Sequence, residues 1–315
     1  MGAFLHAVAV FFDHLADVKW QALGLAIACH VIKLLFRARA WQNIVRAAYP
    51  EGRLRYRTAA GAYIAGVGVN SIVPARGGDL VKLYLVRHRM PESTYPTLGA
   101  TLVVETLFDF FVSGALMIWV LSIGVLPTHQ VYSRIPAVDW KFFLRHERWT
   151  LIGLGVLAVC AVIGFFWARL KVEKFWSRVR LGFAILHDRR RFAIGVLLPQ
   201  TISWVFRIGT LYFGLKAFGV HASIHNALLA QAVDSLATLF PATPGGAGTK
   251  QGLIVYLFRG QAVSRALLLA FSVGMNIALT VVNVVLGLIA IGLMARTLSF
   301  KRIRQDSRRE QEQTA

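Results

Sequence analysis

Acidic side chains are scarce in this sequence. Fifteen Asp and Glu stand against 35 Lys and Arg, giving a formal net charge of +20 over 315 residues. Charge of either sign is thin, at 16% of residues, whereas a soluble domain carries about a quarter. With 56% hydrophobic residues and a mean hydropathy of +0.57, a soluble globular domain is excluded. In a soluble chain the basic excess would suggest nucleic acid. Here no basic module is long enough to fold alone, so nucleic-acid binding is not expected. Cysteine is almost absent. Cys29 and Cys160 both lie in apolar runs, which excludes a disulfide framework and suits packing.

Catalytic signatures are missing too. Gly248-Thr249-Lys250-Gln251 lacks the Gly-Lys-Ser/Thr order of a phosphate loop, and no strand precedes it. His146-Glu147 has no second His, and His221 with His225 has no third ligand. No metal, cofactor or catalytic residue is therefore expected. Residues Met1 to Trp20 have no basic n-region and carry Asp13 and Asp17, so they read as an interface helix, not a cleaved signal.

What the chain does have is long apolar runs. Five can cross a bilayer: Trp20–Phe36, Leu98–Leu126, Trp149–Trp167, Phe192–Phe218 and Ala266–Ala295. Two more, Thr58–His88 and His225–Phe258, contain helix breakers. The first break reads Asn70-Ser71-Ile72-Val73-Pro74-Ala75-Arg76-Gly77-Gly78-Asp79. The second reads Pro241-Ala242-Thr243-Pro244-Gly245-Gly246-Ala247-Gly248-Thr249-Lys250-Gln251. A broken helix in lipid leaves backbone groups unpaired, which is tolerated only where protein or water covers them. Matching breaks in two halves of a chain mark the binding sites of many transporters.

Loop charge sets the orientation. Arg37, Arg39, Arg46, Arg53, Arg55 and Arg57 follow the first run, against Glu51 alone. Eight bases and two acids lie between Trp167 and Phe192. Six bases and three acids follow Ala295. All three regions are expected to be cytoplasmic, and Gly219–Ser223 external. That assignment holds if Thr58–His88 enters and leaves on the cytoplasmic side and His225–Phe258 does so outside. The expected fold is an all-α polytopic bundle in the cell membrane, with two re-entrant segments forming an inverted repeat. Residues 1–295 make the membrane domain. Residues 296–315 are expected to form a basic, disordered cytoplasmic tail.

Ionisable residues inside spans need a reason. Glu105 and Asp109 lie four apart on one helix, Arg207 is mid-span, and Asp234 precedes the second break. Asn276, Thr280 and Asn283 make a polar stripe in the last run. Lys33 is close enough to a run end to snorkel. Two readings stand: buried pairs that hold helices together, such as Arg207 with Asp234, or a polar path for a ligand. Arg76 and Lys82 flank the first glycine turn, and Lys250 ends the second. Helix N-termini after such turns, with Arg and Lys nearby, suit a phosphate head group.

These motifs resemble the membrane, flippase-like region of the lysylphosphatidylglycerol synthases. The matching residues are Asn70 with Pro74-Ala75-Arg76-Gly77-Gly78-Asp79, then Glu105 and Asp109, then Pro241 with Pro244-Gly245-Gly246-Ala247-Gly248. Two positions depart: Gln251 stands where the family usually has an acid, and Asp79 where it has Glu. The resemblance implies movement of a membrane lipid between leaflets. The expected ligand site comprises Asn70, Arg76, Gly77, Gly78, Asp79, Lys82, Glu105, Asp109, Arg207, Asp234, Pro244, Gly245, Gly246, Lys250 and Gln251. The synthases' soluble aminoacyl-transferase domain has no counterpart in this sequence, so synthesis of aminoacylated lipid is not expected. Partners would be a phosphate-bearing lipid and, as an alternative role, a separate lipid-modifying enzyme. An intramembrane lipid enzyme with Glu105 or Asp109 as base is a further alternative.

Overall fold

The computed structural model describes residues 17–73, 76–122, 177–239, 249–258 and 263–314. Helices α1 (Trp20–Ala48), α2 (Tyr56–Asn70), α3 (Gly77–Arg89) and α4 (Tyr95–Ser122) form the first half. Helices α5 (Arg189–Ala217), α6 (Ile224–Leu239), α7 (Thr249–Leu257) and α8 (Arg265–Thr314) form the second. Among the described residues there is no strand, and α1, α4, α5 and α8 are long and apolar enough to span a membrane. The chain is an all-α, multi-pass membrane bundle. Its outward faces carry large apolar side chains such as Phe110 (70% exposed) and Phe111 (69%), which suits a lipid solvent.

Helix ends follow local chemistry. α1 stops before Pro50, whose ring disfavours a helical residue ahead of it. Asp188 caps α5 by accepting from Arg191 N at 3.0 Å. A π-type turn at Ala193–Leu197 precedes Pro199. Proline cannot donate to the carbonyl four residues back. Here that carbonyl belongs to Gly195, and Asn43 Nδ2 on α1 satisfies it at 2.8 Å.

The two broken segments are helical hairpins. α2 and α3 pack on each other, as do α6 and α7. At ~1.5 Å per residue, the 15-residue α2 reaches ~22 Å, short of the ~30 Å hydrocarbon core. The 13-residue α3, 16-residue α6 and 9-residue α7 are shorter or similar. The first hairpin closes backbone against backbone. A Cβ on Gly78 would lie 2.0 Å from Gly66 O, so no side chain fits there.

Registers show how the halves meet. Along α1 and α5, Lys19 N donates to Ala217 O (2.9 Å), Cys29 faces Gly209, Phe36 stacks on Phe206 and Asn43 reaches Gly195. One number rises as the other falls, so α1 and α5 are antiparallel. α2 lies antiparallel on α8, with Gly61 against Met294 and Gly68 against Gly287. α6 lies antiparallel on α4, with Ser235 against Ser113 and His225 against Trp119. Each hairpin thus leans on the last helix of the other half, the pattern of an inverted repeat. Three basic regions gather at one end: Thr94 N donates to Tyr49 Oη, Thr97 Oγ1 to Arg178 O, and Arg89 to Met294 O.

Some expectations change. The first run does not end at Phe36; its helix continues to Ala48, carrying Arg37, Arg39 and Arg46 with it. No proline or glycine interrupts that stretch, so nothing stops the helix there. Helix α8 runs from Arg265 to Thr314, and its stretch beyond Ala295 likewise lacks proline and glycine. The run Trp149–Trp167 and most of the N-terminal interface segment lie outside the described residues.

Candidate functional site in the bundle interior

Five helices converge at Glu105. Lys82 Nζ from α3 donates to its Oε2 at 2.7 Å, and Tyr63 Oη from α2 to Oε1 at 2.7 Å. Arg37 from α1 reaches Oε1 at 3.2 Å and Asp109 Oδ2 at 2.6 Å, while its Nε donates to Tyr63 Oη at 2.7 Å. The Lys82 ammonium sits over the Trp41 and Tyr63 rings, 4.2 and 4.1 Å from their centroids. Desolvated cation–π contacts of this kind contribute ~2 kcal/mol. Trp41 is itself fixed by Thr101 Oγ1 at 3.1 Å, and Gln200 Nε2 on α5 reaches Glu105 O at 3.4 Å. Two cations face two carboxylates, so this cluster is balanced and closed. Lys82 and Glu105 side chains are only 5% and 4% exposed.

The network runs on into the second half. Trp204 Nε1 donates to Asp109 Oδ1 at 2.9 Å, and Arg207 lies over the Trp204 ring at 4.8 Å. Arg207 Nε donates to Gln231 Oε1 at 2.8 Å, and Gln231 Nε2 to Ser235 Oγ at 3.2 Å. Asp234 pairs with Lys250 across the second hairpin at 2.5 Å, each 22% exposed. Two turns back along α1 from Arg37, His30 accepts from Lys33 at 3.0 Å and meets Asn283 Oδ1 of α8 at 2.7 Å.

The first glycine turn is built differently. Arg76 caps α3 with φ 58°, the left-handed region, and is the one non-glycine there among the described residues. Such a conformation is costly for a residue with a Cβ and often accompanies function. Its side chain is 70% exposed and meets Asp79 at 3.2 Å. Asn70 locks the turn: its Oδ1 accepts from Gly78 N at 2.7 Å and its Nδ2 donates to Asp79 Oδ1 at 3.2 Å.

Glu105, Asp109, Lys82, Arg207, Asp234 and Lys250 therefore belong to one interior belt, while Asn70, Arg76, Gly77, Gly78 and Asp79 form a separate turn. Gln251 follows Lys250 on α7. Pro244, Gly245 and Gly246 lie outside the described residues. Three expectations are corrected. Arg207 does not pair with Asp234; Gln231 and Lys250 intervene as their respective partners. Lys82 follows the first turn in sequence, but its ammonium is buried and held by Glu105 instead of facing a phosphate at the turn. Lys33 is not at a helix end, because α1 runs on from it to Ala48. Sequence reasoning missed Arg37, Tyr63, Trp41 and His30. Arg37 reads as a loop charge, and the aromatic pair looks like ordinary core. One signal was available: both breaks read Gly-Gly-x-x-x-Lys, at Gly77 to Lys82 and Gly245 to Lys250.

Residues 3–287 match the family described as the lysylphosphatidylglycerol synthase TM region. A UPF0104 membrane protein of Methanothermobacter thermautotrophicus is 26% identical over 262 residues, 70% of this chain and 69% of that one. Another, MJ1078 of Methanocaldococcus jannaschii, is 26% identical over 199 residues, 61% of this chain and 79% of that one. The glycosyltransferase AglD of Haloferax volcanii is 25% identical over 273 residues, 74% of this chain but 42% of AglD. No solved structure matches the chain. The chain belongs to the lysylphosphatidylglycerol synthase TM-region family.

Proposed function

We propose that this family member moves a phosphate-bearing lipid, anionic or modified at its head group, between membrane leaflets. The observation that supports this reading most is the inverted repeat with a charged belt at its centre. Two hairpins open toward opposite ends of the bundle and supply Lys82, Asp234 and Lys250 to a belt completed by Glu105 and Asp109 of α4 and Arg207 of α5. Interior charges of this kind are costly unless they serve a path or hold helices. The exposed Arg76, left-handed at the first turn, would meet the head group at the tip of the first hairpin. A lipid-linked glycan carrier is a cargo consistent with the similarity to a glycosyltransferase. That same similarity favours a second reading, in which the chain is a non-catalytic membrane partner of a lipid-modifying enzyme.

Purified protein in liposomes with a panel of labelled lipids tests the proposal. Transfer of at least one phosphate-bearing lipid above protein-free vesicles is expected, with no chemical change to the lipid. Equal rates with and without protein for every lipid would end the transport reading and leave the partner reading. Orientation is part of the proposal. The basic end, including Arg190 and the C-terminus, faces the cytoplasm of a cell-membrane protein. A cysteine at Arg190 should resist an impermeant thiol reagent in intact cells, and one at Ala222 should react; the reverse pattern inverts the orientation.

A further inference from the structure

The inverted repeat matches side chains as well as helices. Arg37 and Arg207 occupy corresponding places on α1 and α5. Each donates its Nε to the first arm of its own hairpin, Arg37 to Tyr63 at 2.7 Å and Arg207 to Gln231 at 2.8 Å. Each hairpin carries a lysine four residues after a Gly-Gly pair, Lys82 and Lys250. There the correspondence ends. In the first half α4 supplies Glu105 and Asp109 to the guanidinium of Arg37. The corresponding helix of the second half, α8, has no Asp or Glu between Arg265 and Met294.

Arg207 is left with an amide and an aromatic face, and among the described residues no carboxylate forms an ion pair with it. Among the described residues Lys33 is in the same situation, with no ion-pair partner and a hydrogen bond to His30. The α1–α5 register brings the two together. Cys29 faces Gly209 and Phe36 stacks on Phe206, which sets Lys33 beside the turn that carries Arg207. The two cations lie within electrostatic reach of each other, and of Asp109 and Asp234. Asp109 is already engaged by Arg37 and Trp204. Among the described residues, three cations, Lys33, Arg207 and Lys250, are thus left with one further carboxylate, Asp234, which is paired with Lys250. Unbalanced cations in a membrane interior are costly, and an anion from outside the chain offsets that cost.

We infer that Arg207 and Lys33 form an open anion seat, and that a ligand phosphate takes there the place that Glu105 and Asp109 hold against Arg37. The first half is then the self-occupied copy of the site and the second half the open one. The inference rests on the lipid-transport reading for its cargo, since the phosphate would be that of the lipid head group. A planar guanidinium binds phosphate through two parallel hydrogen bonds, and the ammonium adds a point charge.

The test is equilibrium binding to the full chain in maltoside micelles, which contain no phosphate. One arm titrates dihexanoylphosphatidylglycerol, the other inorganic phosphate. Gln231→Glu is the informative variant, because it is isosteric and puts a carboxylate on the atom that already meets Arg207. It should lower affinity about tenfold, the loss of one charged contact, while the thermal midpoint stays level or rises. Arg207→Gln should lose affinity similarly, and Arg53→Gln in the α1–α2 loop should not. Arg207-dependent binding in either arm upholds the seat and tells whether lipid or free phosphate fills it. Parental affinity in both Gln231→Glu and Arg207→Gln overturns it. The two proposals separate cleanly. Arg207-dependent binding without liposome transport keeps the seat and sinks transport; transport indifferent to both variants does the opposite.

Discussion

The two hairpins solve the same problem with different materials. The first is tight: Gly66 and Gly78 touch backbone to backbone, and Lys82 is enclosed by Glu105, Trp41 and Tyr63. The second packs through side chains, with Leu229, Val233, Ile254 and Leu257 in one buried cluster, and its Lys250–Asp234 pair is 22% exposed on each side. One half balances its charges internally, and the other leaves Arg207 and Lys33 to be balanced from outside. A repeat in which only one copy is self-satisfied is suited to hold its shape with one half and bind with the other.

The largest expected effect is at Lys82. Lys82→Gln leaves Arg37 alone against Glu105 and Asp109 and should cost about 3–5 kcal/mol, because one buried charge is then uncompensated. Lys250→Gln should cost about 1 kcal/mol or less, since its pair is partly exposed. Thermal unfolding of both variants in detergent measures the contrast, and equal losses would erase the distinction between the hairpins. Next is packing. Gly78→Ala drives a methyl to 2.0 Å from Gly66 O and should cost about 3 kcal/mol, near the top of the range for overpacking. Gly252→Ala meets open space and should stabilise α7 by up to about 1 kcal/mol through helix propensity. A stable Gly78→Ala protein would show that the first hairpin is not closed as described.

Smaller effects sharpen the pairing. A double-mutant cycle on Asp234→Asn and Lys250→Gln should give a coupling of about 0.5–1 kcal/mol. The cycle on Arg207→Ala and Asp234→Ala should be weaker, because neither is the other's direct partner. If the Arg207–Asp234 double variant folds and transports normally, both residues leave the proposed path. The smallest effect is at Arg76. Arg76→Gly removes the strain of a left-handed residue with a Cβ, so the thermal midpoint should hold or rise slightly. A marked drop would mean that the exposed Asp79 contact matters more than surface pairs usually do.

Much of this architecture was legible in the residues. Hydropathy located α4, α5 and the start of α8 to within a few residues, because lipid demands uninterrupted helices. Pro74 and the glycines marked the first break, and loop arginines grouped three regions that the structure gathers at one end. Boundaries failed where charge was read as loop: Arg37 sits mid-helix because Tyr63, Glu105 and Asp109 supply its partners from other elements. The same distance in sequence hid the aromatic seat of Lys82, since Trp41 and Tyr63 approach it only after three helices have packed.

By itself the sequence determined that the chain is an all-helical membrane protein with two broken hairpins and interior charges. Composition, run length and helix breakers act locally, and lipid leaves a chain few alternatives. Which charge meets which was decided only by the tertiary structure. Partner choice among Arg37, Lys82, Arg207 and Lys250 depends on antiparallel registers between helices far apart in the chain, and distance in a low-dielectric interior, not proximity in sequence, sets the strength of each pair.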